Sequence, residues 1–89
     1  MTKSDEFTVV NRLGLHARAA AQLVQVANRY AADVMVEKDG VEVNAKSIMG
    51  LLMLAAPKGS TLKVTVIGQD AELALIEIGN MINDGFGED

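Results

Sequence analysis

The chain contains no cysteine. That excludes a disulfide framework and thiolate metal sites, and it fits a reducing compartment. Aromatic residues make up only 3%, so any core has to be assembled from Val, Leu, Ile, Met and Ala. A basic excess is also missing. Net charge is −4, and Arg12, Arg18, Arg29, Lys38, Lys46, Lys58 and Lys63 are scattered among acids. Nucleic-acid binders normally carry a basic stripe to neutralise phosphates, so no nucleic-acid partner is expected. The longest apolar run, Leu51 to Pro57, is far short of a membrane span. Met1 to Glu6 have no apolar h-region. A cytoplasmic protein with no membrane partner is therefore expected. Histidine occurs once, at His16, with no carboxylate three or four residues further on. Without a second imidazole or a thiolate, neither a metal site nor a cofactor is expected.

What is present points to one folded domain over residues 1–89, since 49% hydrophobic and 22% charged residues are globular rather than disordered proportions. Phe7-Thr8-Val9-Val10 reads as a strand. From Ala17 to Tyr30 the period changes: Ala20, Leu23, Val24, Ala27 and Ala31 share one face of a helix. Asp33 to Lys38 and Val41 to Asn44 are strands, with Val34, Val36, Val41 and Val43 facing inward. Asp39-Gly40 between them is a hairpin turn. Ser47 is an N-cap signal before the short apolar helix Ile48 to Leu54. So short a helix cannot bury every side, so some of Ile48, Met49, Leu52 and Met53 must be exposed. Leu62, Val64 and Val66 alternate with Thr61, Lys63 and Thr65 in a fourth strand. Asp70 is the N-cap signal of a last helix, with Ala71, Ala74, Leu75, Ile78 and Ile82 on its inner face. Gly85 takes a left-handed position at the helix end, and Phe86 folds back. Gly87 to Asp89 are expected to fray. The order β-α-β-β-α-β-α, with one polar sheet face, predicts an α+β two-layer open-faced sandwich: a four-stranded antiparallel sheet with three helices on one face.

His16 lies where the first strand has ended and the first helix begins. Backbone N–H groups there, Ala17 among them, lack intrahelical partners and carry partial positive charge. A single histidine in such a place is, by itself, more often a cap or a surface group. No serine is placed beside it by any sequence logic, so a hydrolytic triad is not supported. What remains is histidine as the nucleophile. The positive end of a helix disfavours an imidazolium and leaves a lone pair on the ring. Once a phosphoryl group is attached, the same amides and the Arg18 guanidinium meet its charge.

Gly14-Leu15-His16-Ala17-Arg18 resembles the active-site signature of the histidine-containing phosphocarrier protein (HPr) family of the bacterial phosphotransferase system. The likeness continues through Lys46-Ser47-Ile48-Met49-Gly50-Leu51, Lys58-Gly59 and Gly85-Phe86, and so covers essentially the whole chain. It implies that His16 accepts a phosphoryl group on Nδ1, the pros nitrogen, from enzyme I, which draws on phosphoenolpyruvate. The group then passes to an enzyme IIA component. The chain would be a relay component rather than a stand-alone catalyst, working as a monomer. Arg18 is expected to hold the phosphate. Ser47 is expected to be the target of a regulatory HPr kinase/phosphorylase. Leu13, Ala17, Arg18, Ala21, Lys46, Ile48, Met49, Leu52 and Met53 are expected to form the docking surface. The family's usual proline is replaced here by Ala19, which keeps the helix and adds a donor.

Two other functions fit parts of the sequence. One is a regulatory docking module of the nitrogen-related branch of the same system, to which Leu51-Leu52-Met53-Leu54 and the acidic ending have some likeness. The other is an acyl carrier protein, also small and acidic, with a modified serine before an apolar helix. Lys46 before Ser47 and the clear strands argue against it.

Overall fold

The most regular alternation in the chain lies inside the sheet. Leu62, Val64 and Val66 are fully buried, while Thr61, Lys63 and Ile67 are exposed. Each buried side chain of this size contributes roughly 1.5–3 kcal/mol relative to exposure. In this computed structural model, which describes residues 1–88, the elements are β1 (Thr2–Thr8), α1 (Ala17–Ala27), β2 (Asp33–Lys38), β3 (Val41–Asn44), α2 (Ile48–Met53), β4 (Thr61–Ile67) and α3 (Ala71–Asn83). A 3₁₀ turn, Gly85–Gly87, follows. The predicted order and fold class are observed.

The sheet runs β1-β4-β2-β3, and every pairing is antiparallel. On its open face Lys63 stands opposite Glu6 on one side and Glu37 on the other. Such cross-strand charge pairs suit a solvated surface. The other face carries Val34, Val36, Leu62, Val64 and Val66, which join Leu23, Leu51, Ile78 and Ile82 from the helices in one core. Asp39 (φ 51°) and Gly40 (φ 83°) both take the left-handed angles that a two-residue hairpin needs.

Several boundaries differ from the sequence expectation. β1 begins at Thr2 and ends at Thr8. Its polar residues pair with β4 along an edge, where no apolar alternation is required. Val9 is buried and stays tied to the β4 side through its amide and the Ser60 carbonyl, while Val10 is exposed. α1 stops at Ala27, not Tyr30, and Ala31 is exposed. The segment after α1 is held by tertiary partners instead. The Tyr30 hydroxyl donates to Glu77, and Lys46 Nζ donates to the Tyr30 carbonyl. Val41 is 55% exposed because it sits at the hairpin end of the edge strand β3.

Asp70 precedes α3 but makes no capping bond to it. Its carboxylate accepts from the amides of Ala31 and Ala32, at 2.9 and 3.0 Å, and so clasps the start of β2. Gly79, unfavourable in a helix on propensity alone, has a packing reason. A Cβ there would lie 2.5 Å from the Phe7 ring, which occupies the space a side chain would need.

Candidate functional site

Two loops meet at one end of the sheet, because the end of β1 pairs with the start of β4. The loop from Val9 to His16 is strapped to the loop before β4. Leu15 N donates to Ala56 O at 2.8 Å, and Gly59 N donates to Val9 O at 2.7 Å. Asn11 is 1% exposed and turns the loop from inside. Its Nδ2 donates to Gly14 O at 2.7 Å. Gly14 has φ +68°, in the left-handed region, and its backbone approaches Ala56 and Pro57 too closely for a Cβ.

This scaffold delivers His16 to the N-cap of α1 with extended backbone, φ −80° and ψ −179°. The first ladder bond is donated by Ala20 N to His16 O. The amides of Ala17, Arg18 and Ala19 thus lie ahead of the intrahelical ladder, in the electropositive first turn. Proline is tolerated there and alanine equally so. His16 Nδ1 accepts from Arg18 N at 3.3 Å. The ring is partly open, its side chain 23% exposed.

The expected frayed tail is a correction. Gly87 belongs to the 3₁₀ turn, and Glu88 is partly buried against the imidazole; Asp89 lies outside the described residues. Glu88 Oε1 is 2.7 Å from His16 Nε2, and Oε2 is 3.0 Å from it. Asn11 Nδ2 also donates to Oε1, at 2.8 Å. The Asn11 hydrogen bond is the main influence holding the Glu88 carboxyl below its ordinary range, partly opposed by desolvation, with His16 adding to it. The partners on the two ring nitrogens agree on one neutral tautomer. A carboxylate needs a proton on Nε2, and an amide donor needs a lone pair on Nδ1.

Arg18 is exposed and lines a shallow cleft with Arg12, Leu13 and Glu88. Ser47 caps α2, its Oγ accepting from Gly50 N at 3.2 Å. Leu13, Ile48, Met49, Leu52 and Met53 are all exposed, and Ala17 is exposed beside His16. Ala21 is half-buried, and Lys46 gives its ammonium to the Tyr30 carbonyl. The structure therefore brings His16, Arg18 and Leu13 to one place, with Ser47 opening a separate helix that packs on α1.

The sequence puts Asn11 and Arg12 in the loop that leads to His16 but gives them no role there, and it gives no place at all to Glu88. The one available signal for Glu88 was its spacing from Phe86, an apolar anchor two residues earlier. Among the described residues no group of acidic or imidazole side chains is arranged to hold a metal ion. Among the described residues no helix is long and apolar enough to cross a membrane.

A family model described as the PTS HPr component phosphorylation site matches residues 3–84. The chain is 43% identical to the phosphocarrier protein HPr of Xylella fastidiosa over 84 residues, 94% of each protein. It is 44% identical to that of Cupriavidus necator over 81 residues, 91% of each. Its fold superimposes on a crystal structure of HPr from Thermoanaerobacter tengcongensis with a TM-score of 0.94 and 40% identity, covering 98% of both chains. The sheet is incompatible with an all-helical acyl carrier, and the match runs through the loop that presents the lone histidine. The chain thus belongs to the HPr family, the phosphocarriers of the phosphotransferase system, which relay a phosphoryl group rather than act as stand-alone catalysts.

Proposed function

We propose that His16 Nδ1 accepts the phosphoryl group from phospho-enzyme I and hands it to an enzyme IIA component. The observation that carries this reading is the partly exposed ring at the α1 N-cap, with its Nδ1 lone pair turned towards the first-turn amides. Those amides, Ala17 among them, and the Arg18 guanidinium are the groups that would meet the phosphoryl oxygens. The 3.3 Å bond from Arg18 N is long. It can be released as Nδ1 attacks, leaving that N–H for an oxygen of the transferred group.

Docking is assigned to Leu13, Ala17, Arg18, Ala21 and Lys46 with the α2 side chains Ile48, Met49, Leu52 and Met53. Exposed methionines adapt to more than one partner surface, which suits a relay that meets a donor and a receiver in turn. The working form is the monomer over residues 1–89. The family fold also associates in pairs, since HPr from Thermoanaerobacter tengcongensis has been solved as a dimer.

The test is a mass measurement after incubation with phosphoenolpyruvate and enzyme I. One phosphoryl increment that disappears in acid is expected, and native spraying should give the mass of one chain. No increment, or an acid-stable one, would remove the phosphohistidine assignment.

Ser47 is proposed as the regulatory phosphorylation site, at a position where its oxygen already caps α2. Ser47→Ala is expected to lose about 1 kcal/mol through the missing cap. Ser47→Asp keeps a capping oxygen and should unfold within about 0.5 kcal/mol of the parent. Its added charge beside Ile48 and Met49 should slow phosphoryl uptake from enzyme I. Urea titration and a time course of uptake check the pair, and an aspartate variant phosphorylated as fast as the parent would count against regulation through this serine.

A further inference from the structure

The carboxylate of Glu88 is held on two sides. Its Oε1 accepts from the Asn11 side-chain amide and faces His16 Nε2, while Oε2 stays within 3.0 Å of the same nitrogen. Asn11 is itself locked, being 1% exposed and bonded to the Gly14 carbonyl. Both acceptors of its Nδ2 are oxygens, so its amide has only one orientation. A buried amide thus anchors a carboxylate, and the carboxylate faces the far nitrogen of the ring. An exposed surface pair would be free to swing away; this one is fixed from behind. The other charged groups facing the carboxylate are Arg12 and Arg18, which line the same cleft.

We infer that Glu88 is a positioning residue for phosphoryl transfer, keeping the proton on His16 Nε2 through both halves of the relay. The inference rests on Nδ1 being the phosphoryl acceptor. In the first half, the Nδ1 lone pair forms the new N–P bond. The bond between phosphorus and the donor breaks, and its electron pair leaves with the donor. No proton is lost from the ring, so the phosphorylated imidazole carries a positive charge, which the Glu88 carboxylate stabilises. In the second half a nucleophile of the enzyme IIA component forms its bond to phosphorus as the N–P electron pair returns to Nδ1, and the ring leaves neutral, still protonated at Nε2. A ring protonated at Nε2 is the better leaving group. Glu88 therefore biases the resting tautomer towards a lone pair on Nδ1, and it keeps the phosphorylated ring protonated at Nε2, the form that donates more readily than the deprotonated one.

Three proteins test this: the parent, Glu88→Ala and Glu88→Gln. Circular dichroism establishes that each is folded. In alkaline buffer, ¹⁵N shifts of the His16 ring should show the parent protonated at Nε2 and Glu88→Ala as a mixture of tautomers. Glu88→Gln retains a neutral acceptor at the Oε1 position and should restore the parent tautomer. The phosphorylated proteins are then followed at neutral pH. Both variants should hold the phosphoryl group about fivefold longer than the parent, since a charged acceptor retains the Nε2 proton better than a neutral one or none, and a ring that has lost that proton is the poorer leaving group. Unchanged ring shifts in Glu88→Ala, or unchanged lifetimes in both variants, would each overturn the role of Glu88. The ring shifts are read without phosphorylation. A parent that takes up no phosphoryl group therefore removes the carrier assignment while the tautomer result still judges the contact.

Discussion

His16→Ala is expected to take up no acid-labile phosphoryl group while folding nearly as stably as the parent. The chain has one histidine, so no other phosphohistidine can form. The ring is not part of the core. It makes a cap contact to Arg18 N and the pair with Glu88, and it is partly open to solvent. Removing a capping acceptor costs about 1 kcal/mol. Loss of uptake should therefore be complete, with only a small shift in the urea midpoint. Mass measurement after incubation with phosphoenolpyruvate and enzyme I, alongside equilibrium unfolding, separates the two effects. An acid-labile increment surviving in this variant would move the site elsewhere in the chain.

Gly14→Ala is expected to act in the opposite way, damaging stability first and transfer through it. Gly14 has φ +68°, and a Cβ built there lies 2.9 Å from Pro57 Cα and closer still to the Ala56 carbonyl oxygen. Both obstacles are backbone, so neither can turn aside as a side-chain tip could. The left-handed angle costs an L-residue about 1–2 kcal/mol, and forcing a methyl into a packed site about 1–3 kcal/mol. A loss of about 3 kcal/mol is expected in urea unfolding. The same Ala56 oxygen accepts from Leu15 N, and Asn11 holds the Gly14 carbonyl. Separating the two loops would move His16 with them, and phosphoryl uptake by the fraction that remains folded should fall about tenfold or more, because transfer depends on alignment. A stability loss below about 1 kcal/mol would show that the loops are not locked as described.

The helix and strand patterns were legible because they rest on neighbours in sequence. Val34 and Val36, then Leu62, Val64 and Val66, are buried where alternation put them. Asp39-Gly40 turns the hairpin, and Ser47 caps α2, each through bonds and angles spanning a few residues. His16 at the mouth of α1 was legible for the same reason. Misplaced boundaries occur where distant groups intervene. Asp70 has the chemistry of a cap, but the amides of Ala31 and Ala32 are its partners. The end of α1 gives way where Glu77 and Lys46 engage Tyr30.

The sequence alone determined the elements, the inward faces and the lone imidazole at the start of a helix, because periodicity and capping act over three or four residues. Only the tertiary structure decided what stands behind that imidazole. β4 runs away from the His16 loop and α3 runs back, so the turn after α3 returns Glu88 to the end of the sheet where β1 stopped. A carboxylate 72 residues from its histidine in the chain comes within 2.7 Å of it. No local pattern encodes that meeting, since it depends on the lengths and directions of every element between them.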